Sequence, residues 1–248
     1  KPLFGTLDGG EGRSLAELAD DVPVFLMIGR LDPGQKGFDV FARVIETIRP
    51  GVGRYVISPL SPFAFAPDFR LHLNYLKHVA QQRRGEVVVL PFRLDGEIFV
   101  RLREGVTWSV WPSLYEPFGG VTEFYIHGTP TIARATGGLA QQVVDYGVSP
   151  NEATGILYRE DVPSSRAWQE AQHREMQSTI DPVQRQAVTL YQEQVVALTR
   201  AIEAAAGLYR DSRPAYGRIL ANLPDMCKRL DWGRSVREYR HWYDLACA

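Results

Sequence analysis

Short apolar runs alternate with helical stripes of apolar residues from residue 22 to about residue 160. A continuous apolar run of about four to eight residues predicts a buried strand. After the first run, Phe38, Phe41, Ile45 and Ile48 repeat at helical spacing and predict an amphipathic helix. Strands that alternate with helices indicate βαβ units. We therefore expect an α/β fold with a parallel sheet of about six strands and helices on both faces.

The strands and helices can be placed along the chain from the same pattern. The predicted strands lie at residues 22–29, 54–60, 86–92, 106–111, 131–134 and 155–158. The predicted helices between them lie near residues 38–48, 69–80, 96–103, 119–127 and 139–144, the last passing through Val143 and Val144. Ligands bind such sheets at the carboxyl ends of the strands. The loops after the strands are therefore the segments to search for a site.

The pattern changes after Arg159. Residues 160–185 are polar and predict a loop with a surface helix, and Tyr191 begins the apolar stripe of a long helix. A last stripe, which starts at Trp232, predicts a C-terminal helical extension. We expect a linker or arm at residues 1–21, one domain at residues 22–225 and a C-terminal helix at residues 226–248. The chain starts with Lys1 rather than methionine, from which we expect a fragment or a processed chain.

Composition excludes several classes of protein. Of the 248 residues, 45% are hydrophobic and 23% are charged, which is typical of globular domains and not of disordered, collagen-like or coiled-coil chains. The net charge of −1 provides no general attraction for nucleic acid or membrane, and no apolar run approaches the ~20 residues of a membrane span. We expect neither partner. Cys227 and Cys247 lie in no metal-ligand pattern and predict reduced thiols in a cytoplasmic protein.

Two cations lie in the glycine-containing segment after the first predicted strand, GRLDPGQKG at residues 29–37. The start of the following helix attracts anions. Arg30 can hold two phosphate oxygens at once, and Lys36 adds a point charge. The segment is neither a Walker A loop nor a GxGxxG loop, which disfavours classical dinucleotide binding. Taken alone, it is more often a loop with two solvated cations.

Two carboxylates, Glu116 and Glu123, lie seven residues apart in PSLYEPFGGVTE after the fourth predicted strand. Pro117 disfavours helical geometry at Glu116, so we place Glu116 in the loop and Glu123 on the helix. Gly119 and Gly120 allow the backbone to approach a ligand closely. The alternative is a simple turn with an exposed glutamate.

A third segment, ATGGLA, places Gly137 and Gly138 after the fifth predicted strand; the alternative is an ordinary tight turn, and the segment alone carries little weight. The five histidines lack metal-ligand spacing, so we expect no metal. The serines lack a GxSxG context, which disfavours a hydrolase.

Four segments in this order resemble a known family. GRLDPGQKG resembles the arginine–lysine loop of retaining glycosyltransferases, and PSLYEPFGG resembles their donor-sugar glutamate motif. HGTPTIARATGGLAQQVVD and DWGRSVREYRHWYDLA resemble the stretch that follows and the terminal helix. The nearest match is the glycogen/starch synthase-like group of the glycosyltransferase B fold. The resemblance is good over residues 22–160 and loose over residues 230–248.

The resemblance implies one half of a two-domain enzyme. The family has two Rossmann-like domains, and this chain resembles the C-terminal one, which holds the nucleotide sugar. The implied donor is ADP-glucose or UDP-glucose, and the implied acceptor is an α-glucan bound mainly by an N-terminal domain. The terminal helix would pack toward that domain. The reaction needs no metal and no other cofactor, because two cations stabilise the leaving group.

The resemblance also implies a role for each motif residue. Arg30 and Lys36 would bind the diphosphate, Glu116 would bind sugar hydroxyls, and Glu123 would hold the ribose. The remaining implied contacts are backbone amides and turns: Phe118, Gly119 and Gly120 for the glycosyl group, Val121 and Thr122 for the distal phosphate, and Gly137 and Gly138 for the turn beside the sugar.

The chain departs from the family at three places. Arg30 and Lys36 are six residues apart where five is usual, and the two glutamates are seven apart where eight is usual, which weakens the assignment of Glu123. Residues 160–185 look longer than the family's connection and have no assigned function. Two alternatives stay open: a non-catalytic nucleotide-sugar-binding or scaffolding module, and a nucleotide-sugar epimerase on the same fold.

Overall fold

The computed structural model describes residues 21–60, 67–94 and 96–247. These residues form a six-stranded sheet in the order β3-β2-β1-β4-β5-β6, in which every neighbouring pair is parallel. The strands are β1 (Val24–Arg30), β2 (Arg54–Leu60), β3 (Val87–Val89), β4 (Trp108–Trp111), β5 (Thr131–Arg134) and β6 (Gly155–Tyr158). The strand order reverses between β1 and β4. The loops after these two strands therefore flank the crevice where open α/β sheets bind ligands.

Helices cover the sheet and extend the chain beyond it. Within the described ranges they are α1 (Phe38–Thr47), α2 (Pro67–Gln82), α3 (Gly96–Gly105), α4 (Val121–Tyr125), α5 (Leu139–Gln142), α6 (Arg166–Ser178), α7 (Thr189–Asp211), α8 (Arg213–Arg229) and α9 (Trp232–Ala246). A 3-10 turn at Gln184–Ala187 connects α6 to α7. The expected α/β class, the parallel sheet and the C-terminal helices are confirmed.

The core lies on both faces of the sheet because side chains of one strand alternate between them. Phe25 of β1 packs with α1, α2 and α7 residues on one face, whereas Leu26 packs with Leu102 of α3 and Phe124 of α4 on the other. This two-sided burial explains why the strands are continuous apolar runs in the sequence. This core on both faces holds the sheet in place, and the sheet holds the loops at its carboxyl edge.

Three strands, β2, β5 and β6, begin and end where the pattern predicts, but two predicted elements need correction. The third strand has only three residues, Val87–Val89, although the Leu90 amide still donates to the Ile57 carbonyl at 2.8 Å. The helix predicted through Val143 and Val144 ends at Gln142. Val143 is extended there because the chain turns to run beside β6, and the Val144 amide donates to Thr154 Oγ1 at 2.9 Å.

Helix α8 was not predicted. It buries Ile219 and Leu223 against the rest of the chain and packs on α4 and α7. The predicted boundary between residues 225 and 226 lies inside it, and the division of the chain stays a prediction. The predicted arm at residues 1–21 falls almost wholly outside the described residues. No helix in the described ranges is long and apolar enough to cross a membrane.

Candidate functional site

The loop after β1 is a compact turn that ends at the start of α1. The Asp32 carbonyl accepts the amides of Gln35 at 3.1 Å and Lys36 at 2.9 Å, and Asp32 Oδ1 accepts the Gly34 amide at 3.0 Å. Gly37 has φ of 71°, and a Cβ there would collide with the Pro112 carbonyl after β4. A glycine is therefore needed where the loops after the two central strands meet.

Gln35 joins this loop to the loop after β4. Its side-chain amide donates to the Tyr115 carbonyl at 3.2 Å, and its backbone carbonyl accepts the Leu114 amide at 2.7 Å. Arg30 Nη2 donates to Gln35 Oε1 at 3.0 Å. Gln35 thus orients Arg30 and fixes the spacing of the loops. The sequence pattern carried no signal for this glutamine.

Lys36 and Glu116 form an ion pair across the crevice. Lys36 Nζ donates to Glu116 Oε2, and Ser113 Oγ lies 3.4 Å from the same oxygen. Glu116 is only 5% exposed. The structure therefore brings together the cation of the first motif and the carboxylate of the second, although 80 positions separate them in sequence.

The glycine turn after β5 supports the backbone of Glu116. The Gly138 amide donates to the Glu116 carbonyl at 2.7 Å. Gly137 has φ of +46°, and a Cβ on it would collide with the same carbonyl, while a Cβ on Gly138 would collide with the Pro117 carbonyl. The glycine turn thus packs directly against the backbone of the glutamate motif. An ordinary tight turn does not require such a contact.

Helix α4 begins within the glutamate motif. Gly120 occupies its N-cap without a side-chain cap, and Val121 and Thr122 form its first turn. The first-turn amides of any helix have no partner within the helix. Phe118, just before this turn, is 61% exposed. Backbone donors and an exposed aromatic ring therefore adjoin the Lys36–Glu116 pair.

Gln142, a second residue that the sequence did not indicate, holds Gly119. The Gly119 amide donates to Gln142 Oε1 and the Gln142 side-chain amide donates to the Gly119 carbonyl, both at 3.2 Å. The Tyr125 hydroxyl donates to the Gln142 carbonyl at 3.2 Å. Burial raises the pKa of Tyr125 well above its usual range, so this donor stays protonated.

Glu123 pairs with a cation on another element. Its Oε2 lies 3.1 Å from Nη1 of Arg103, at the end of α3. The Arg103 guanidinium also stacks on the Phe99 ring, 3.7 Å from its centroid. The Glu123 side chain is 60% exposed, so it remains open to a ligand. Among the described residues, no hydrogen bond joins Glu123 to Lys36 or Glu116.

Arg134 completes the carboxyl edge of the sheet. Its Nη1 donates to the Leu114 carbonyl at 2.7 Å, and its Nε lies 2.5 Å from Glu160 Oε1. Arg134, which lies on β5, therefore holds the loop after β4 in place. The motifs did not indicate this role. In the described part of the chain, no group of three or more histidine, cysteine, aspartate or glutamate residues could hold a metal ion.

The sequence profile described as Family 4 Glycosyltransferase in conflict systems matches residues 2–206. The chain belongs to this family. Among curated relatives, it is 31% identical to the glycogen synthase of Aromatoleum aromaticum over 229 residues and 25% identical to that of Nitrosospira multiformis over 228 residues. Each alignment covers 90% of this chain and 37% of the relative. The chain thus spans little more than a third of these glycogen synthases.

Solved structures agree with this glycosyltransferase family in fold. The catalytic domain of starch synthase IV from Arabidopsis thaliana, bound to ADP and acarbose, matches 92% of this chain and 39% of its own, with a TM-score of 0.57 and 22% identity. Sucrose-phosphate synthase from Thermosynechococcus elongatus matches 93% of this chain and 48% of its own, with a TM-score of 0.53 and 21% identity. These likenesses confirm the Rossmann-like fold.

Proposed function

We propose that this chain is the donor-binding part of a retaining α-glycosyltransferase that transfers glucose from ADP-glucose or UDP-glucose to an α-glucan or a related acceptor. The observation that carries the proposal is the Lys36–Glu116 pair at the strand-order reversal. Gly137 and Gly138 pack against the backbone of the loop that holds Glu116. The family match and the glycogen synthase relatives support a transferase over an epimerase or a scaffold.

Arg30 and Lys36 would bind the diphosphate. Lys36 pairs with Glu116 and Arg30 donates to Gln35, so both cations would exchange these partners for phosphate oxygens. During transfer, the bond from the anomeric carbon to the diphosphate breaks, and the acceptor oxygen bonds to that carbon. The acceptor proton passes to the departing phosphate. Two fixed cations stabilise the charge that develops on this leaving group.

Glu116 would bind sugar hydroxyls once a diphosphate has taken Lys36. The amides of Phe118 and Gly120 would approach the glycosyl group, and those of Val121 and Thr122 the distal phosphate. Gln142 already occupies the Gly119 amide, so Gly119 would act by shaping the turn rather than by donating. Gly137 and Gly138 would serve in the same way, because they leave room for the Glu116 and Pro117 carbonyls.

Glu123 would hold the ribose. The next residue, Phe124, stands at the family's usual spacing but is buried in the core and cannot accept a hydroxyl. Glu123 is exposed, and its pairing with Arg103 leaves Oε1 free of hydrogen bonds to the described residues. It is thus the carboxylate of this helix that a donor can reach.

Helix α9 would pack against a separate acceptor-binding domain. Its described residues include none that are buried, and its large apolar side chains are more than half exposed: Trp232, Val236, Tyr239, Trp242, Tyr243 and Leu245. An exposed apolar stripe of this size marks an interaction surface. The glycan acceptor would then bind between this chain and that domain.

Calorimetric titration with ADP, UDP, ADP-glucose and UDP-glucose at low salt tests the proposal. We expect the 248-residue chain to bind one nucleotide selectively and Lys36→Ala to weaken that binding about ten- to a hundredfold, as for a lost charge-assisted contact. Lys228→Ala is the matched control, since Lys228 pairs with Asp225 at 2.8 Å on the exposed side of α8. No binding by folded wild type, or equal effects of both variants, would contradict the proposal.

A further inference from the structure

A fully buried ion pair joins the connection between α6 and α7 to the start of α1. Arg185, in the 3-10 turn, places Nε 3.1 Å from Oδ2 of Asp39, and both side chains are completely inaccessible to solvent. Neither Asp39 oxygen has a well-aligned hydrogen bond to a described residue. Taking two charges out of water costs free energy, which their attraction offsets only where the geometry is good and further hydrogen bonds satisfy the remaining polar atoms. The pair therefore calls for an explanation beyond packing.

The second contact of Arg185 gives that explanation. Its Nη1 donates to the carbonyl of Pro33, in the middle of the loop that carries Arg30 and Lys36. The loop is otherwise tied at its ends, through Leu31 to Leu60 at 2.7 Å and through Gln35 to the loop after β4. Arg185 thus holds the centre of the loop from inside the protein. Asp39 supplies the counter-charge that keeps the guanidinium there.

Other residues of the same connection contact α2 and the loop. His72 Nε2 lies 2.7 Å from the Ile180 carbonyl, and Gln177 of α6 lies beside Gly34 of the loop. Met176 is fully buried in the core. Gln177 and Arg185, both in the segment 160–185 for which the sequence offered no function, therefore lie against one side of the candidate phosphate loop.

We propose that Arg185 and Asp39 are positioning residues for the loop that presents Arg30 and Lys36 to a diphosphate. Neither touches the ligand. They act by fixing the Pro33 carbonyl, and with it the turn in which the amides of Gln35 and Lys36 donate to Asp32. The consequence for binding rests on the proposed function, whereas the consequence for loop order does not.

The test uses the double variant Asp39→Leu/Arg185→Met in the full 248-residue chain. Removing both charges together avoids a lone buried ion, and such replacements commonly leave a protein folded. The matched control is Arg101→Met/Glu97→Leu, which removes both partners of an ion pair at 2.8 Å on α3 that involves no third charged residue among those described. The first readout is amide hydrogen exchange at Gln35 and Lys36, with thermal unfolding measured alongside.

We expect the Asp39/Arg185 variant to exchange the Gln35 and Lys36 amides about tenfold faster than wild type, as for a lost charge-assisted hydrogen bond. The control variant keeps wild-type exchange at these amides. If the two variants exchange them equally, the positioning role is overturned. If the double variant does not fold, the milder Arg185→Lys, which keeps the charge but shortens its reach, takes its place with the same criterion.

The second readout separates diphosphate from nucleoside recognition. We expect the double variant to lose about tenfold in affinity for the nucleoside diphosphate that wild type binds and to keep its affinity for the monophosphate. Equal losses for both ligands would overturn the link to the diphosphate. Failure of wild type to bind any nucleotide would instead contradict the proposed function, and the exchange measurement would still decide the loop's positioning.

Discussion

The side chain of Gln142 exchanges two hydrogen bonds with the backbone of Gly119, each 3.2 Å long. Gln142 is completely buried at the end of α5. A primary amide offers a donor and an acceptor on neighbouring atoms, which matches the amide and carbonyl of this backbone position. The glycine turn of the glutamate motif is therefore locked to the next βα unit.

Replacing Gln142 with leucine should destabilise the fold. The change leaves the Gly119 amide and carbonyl buried without partners, which costs about 1–3 kcal/mol for each unmatched group. Urea unfolding of the variant measures the loss. Gln141→Leu is the control, because Gln141 is exposed on the same short helix and should change stability by less than about 0.5 kcal/mol. Equal midpoints for the two variants would contradict the assignment.

Alanine at Gly137 should destabilise the chain more than alanine at Gly128. Both glycines have left-handed φ, +46° and +77°, so both substitutions carry a backbone strain of about 1–2 kcal/mol. A Cβ at Gly128 meets open space, whereas one at Gly137 collides with the Glu116 carbonyl. The difference between the two unfolding free energies isolates this collision.

We also expect Gly137→Ala to weaken nucleotide-sugar binding, because it displaces Glu116, while Gly128→Ala leaves binding unchanged. Thermal unfolding and calorimetric titration of both variants provide the two measurements. If Gly128→Ala proves the more destabilising, the contact between Gly137 and Glu116 is not what constrains this turn.

The sheet was predictable because buried parallel strands are short apolar runs between helical stripes. The short segments were less predictable from the sequence. Val143 and Val144 continue an apolar stripe, but the hydrogen bonds that turn the chain toward β6 come from Thr154, ten residues ahead. Helix α8 escaped prediction because Pro224 and several polar residues interrupt its apolar stripe, although Ile219 and Leu223 are fully buried.

In the candidate site, the sequence indicated the motif residues but not the residues that hold them in position. Arg30, Lys36 and Glu116 stand out because they lie beside glycines after predicted strands. Gln35 and Gln142 have no such context, because a glutamine in a loop or at a helix end is usually solvated. Their roles follow only from the distance between elements that the fold brings together, which the spacing along the chain does not encode.

The two cysteines should react at different rates. Cys227 is partly buried in α8, and burial raises the pKa of its thiol, which lowers the fraction of reactive thiolate. Cys247 is exposed. With a maleimide at pH 7.5, we expect Cys247 to be labelled first, as peptide mapping would show. Raising the pH toward 9 should speed labelling of Cys227, and Cys247→Ser provides the control. Faster labelling of Cys227 at neutral pH would contradict the packing of α8.

Glu123 should distinguish nucleotides by their ribose hydroxyls. If its exposed carboxylate holds the ribose, Glu123→Gln replaces a charged acceptor by a neutral one and weakens binding of the nucleoside diphosphate by about three- to tenfold. The 2′,3′-dideoxy analogue offers no hydroxyl, so its affinity should be the same for wild type and variant. Calorimetric titration of both ligands separates this from a general electrostatic effect, which would alter the two affinities equally. Glu104→Gln, at a nearby exposed glutamate that lies 3.5 Å from His127, controls for the loss of one carboxylate charge and should change neither affinity.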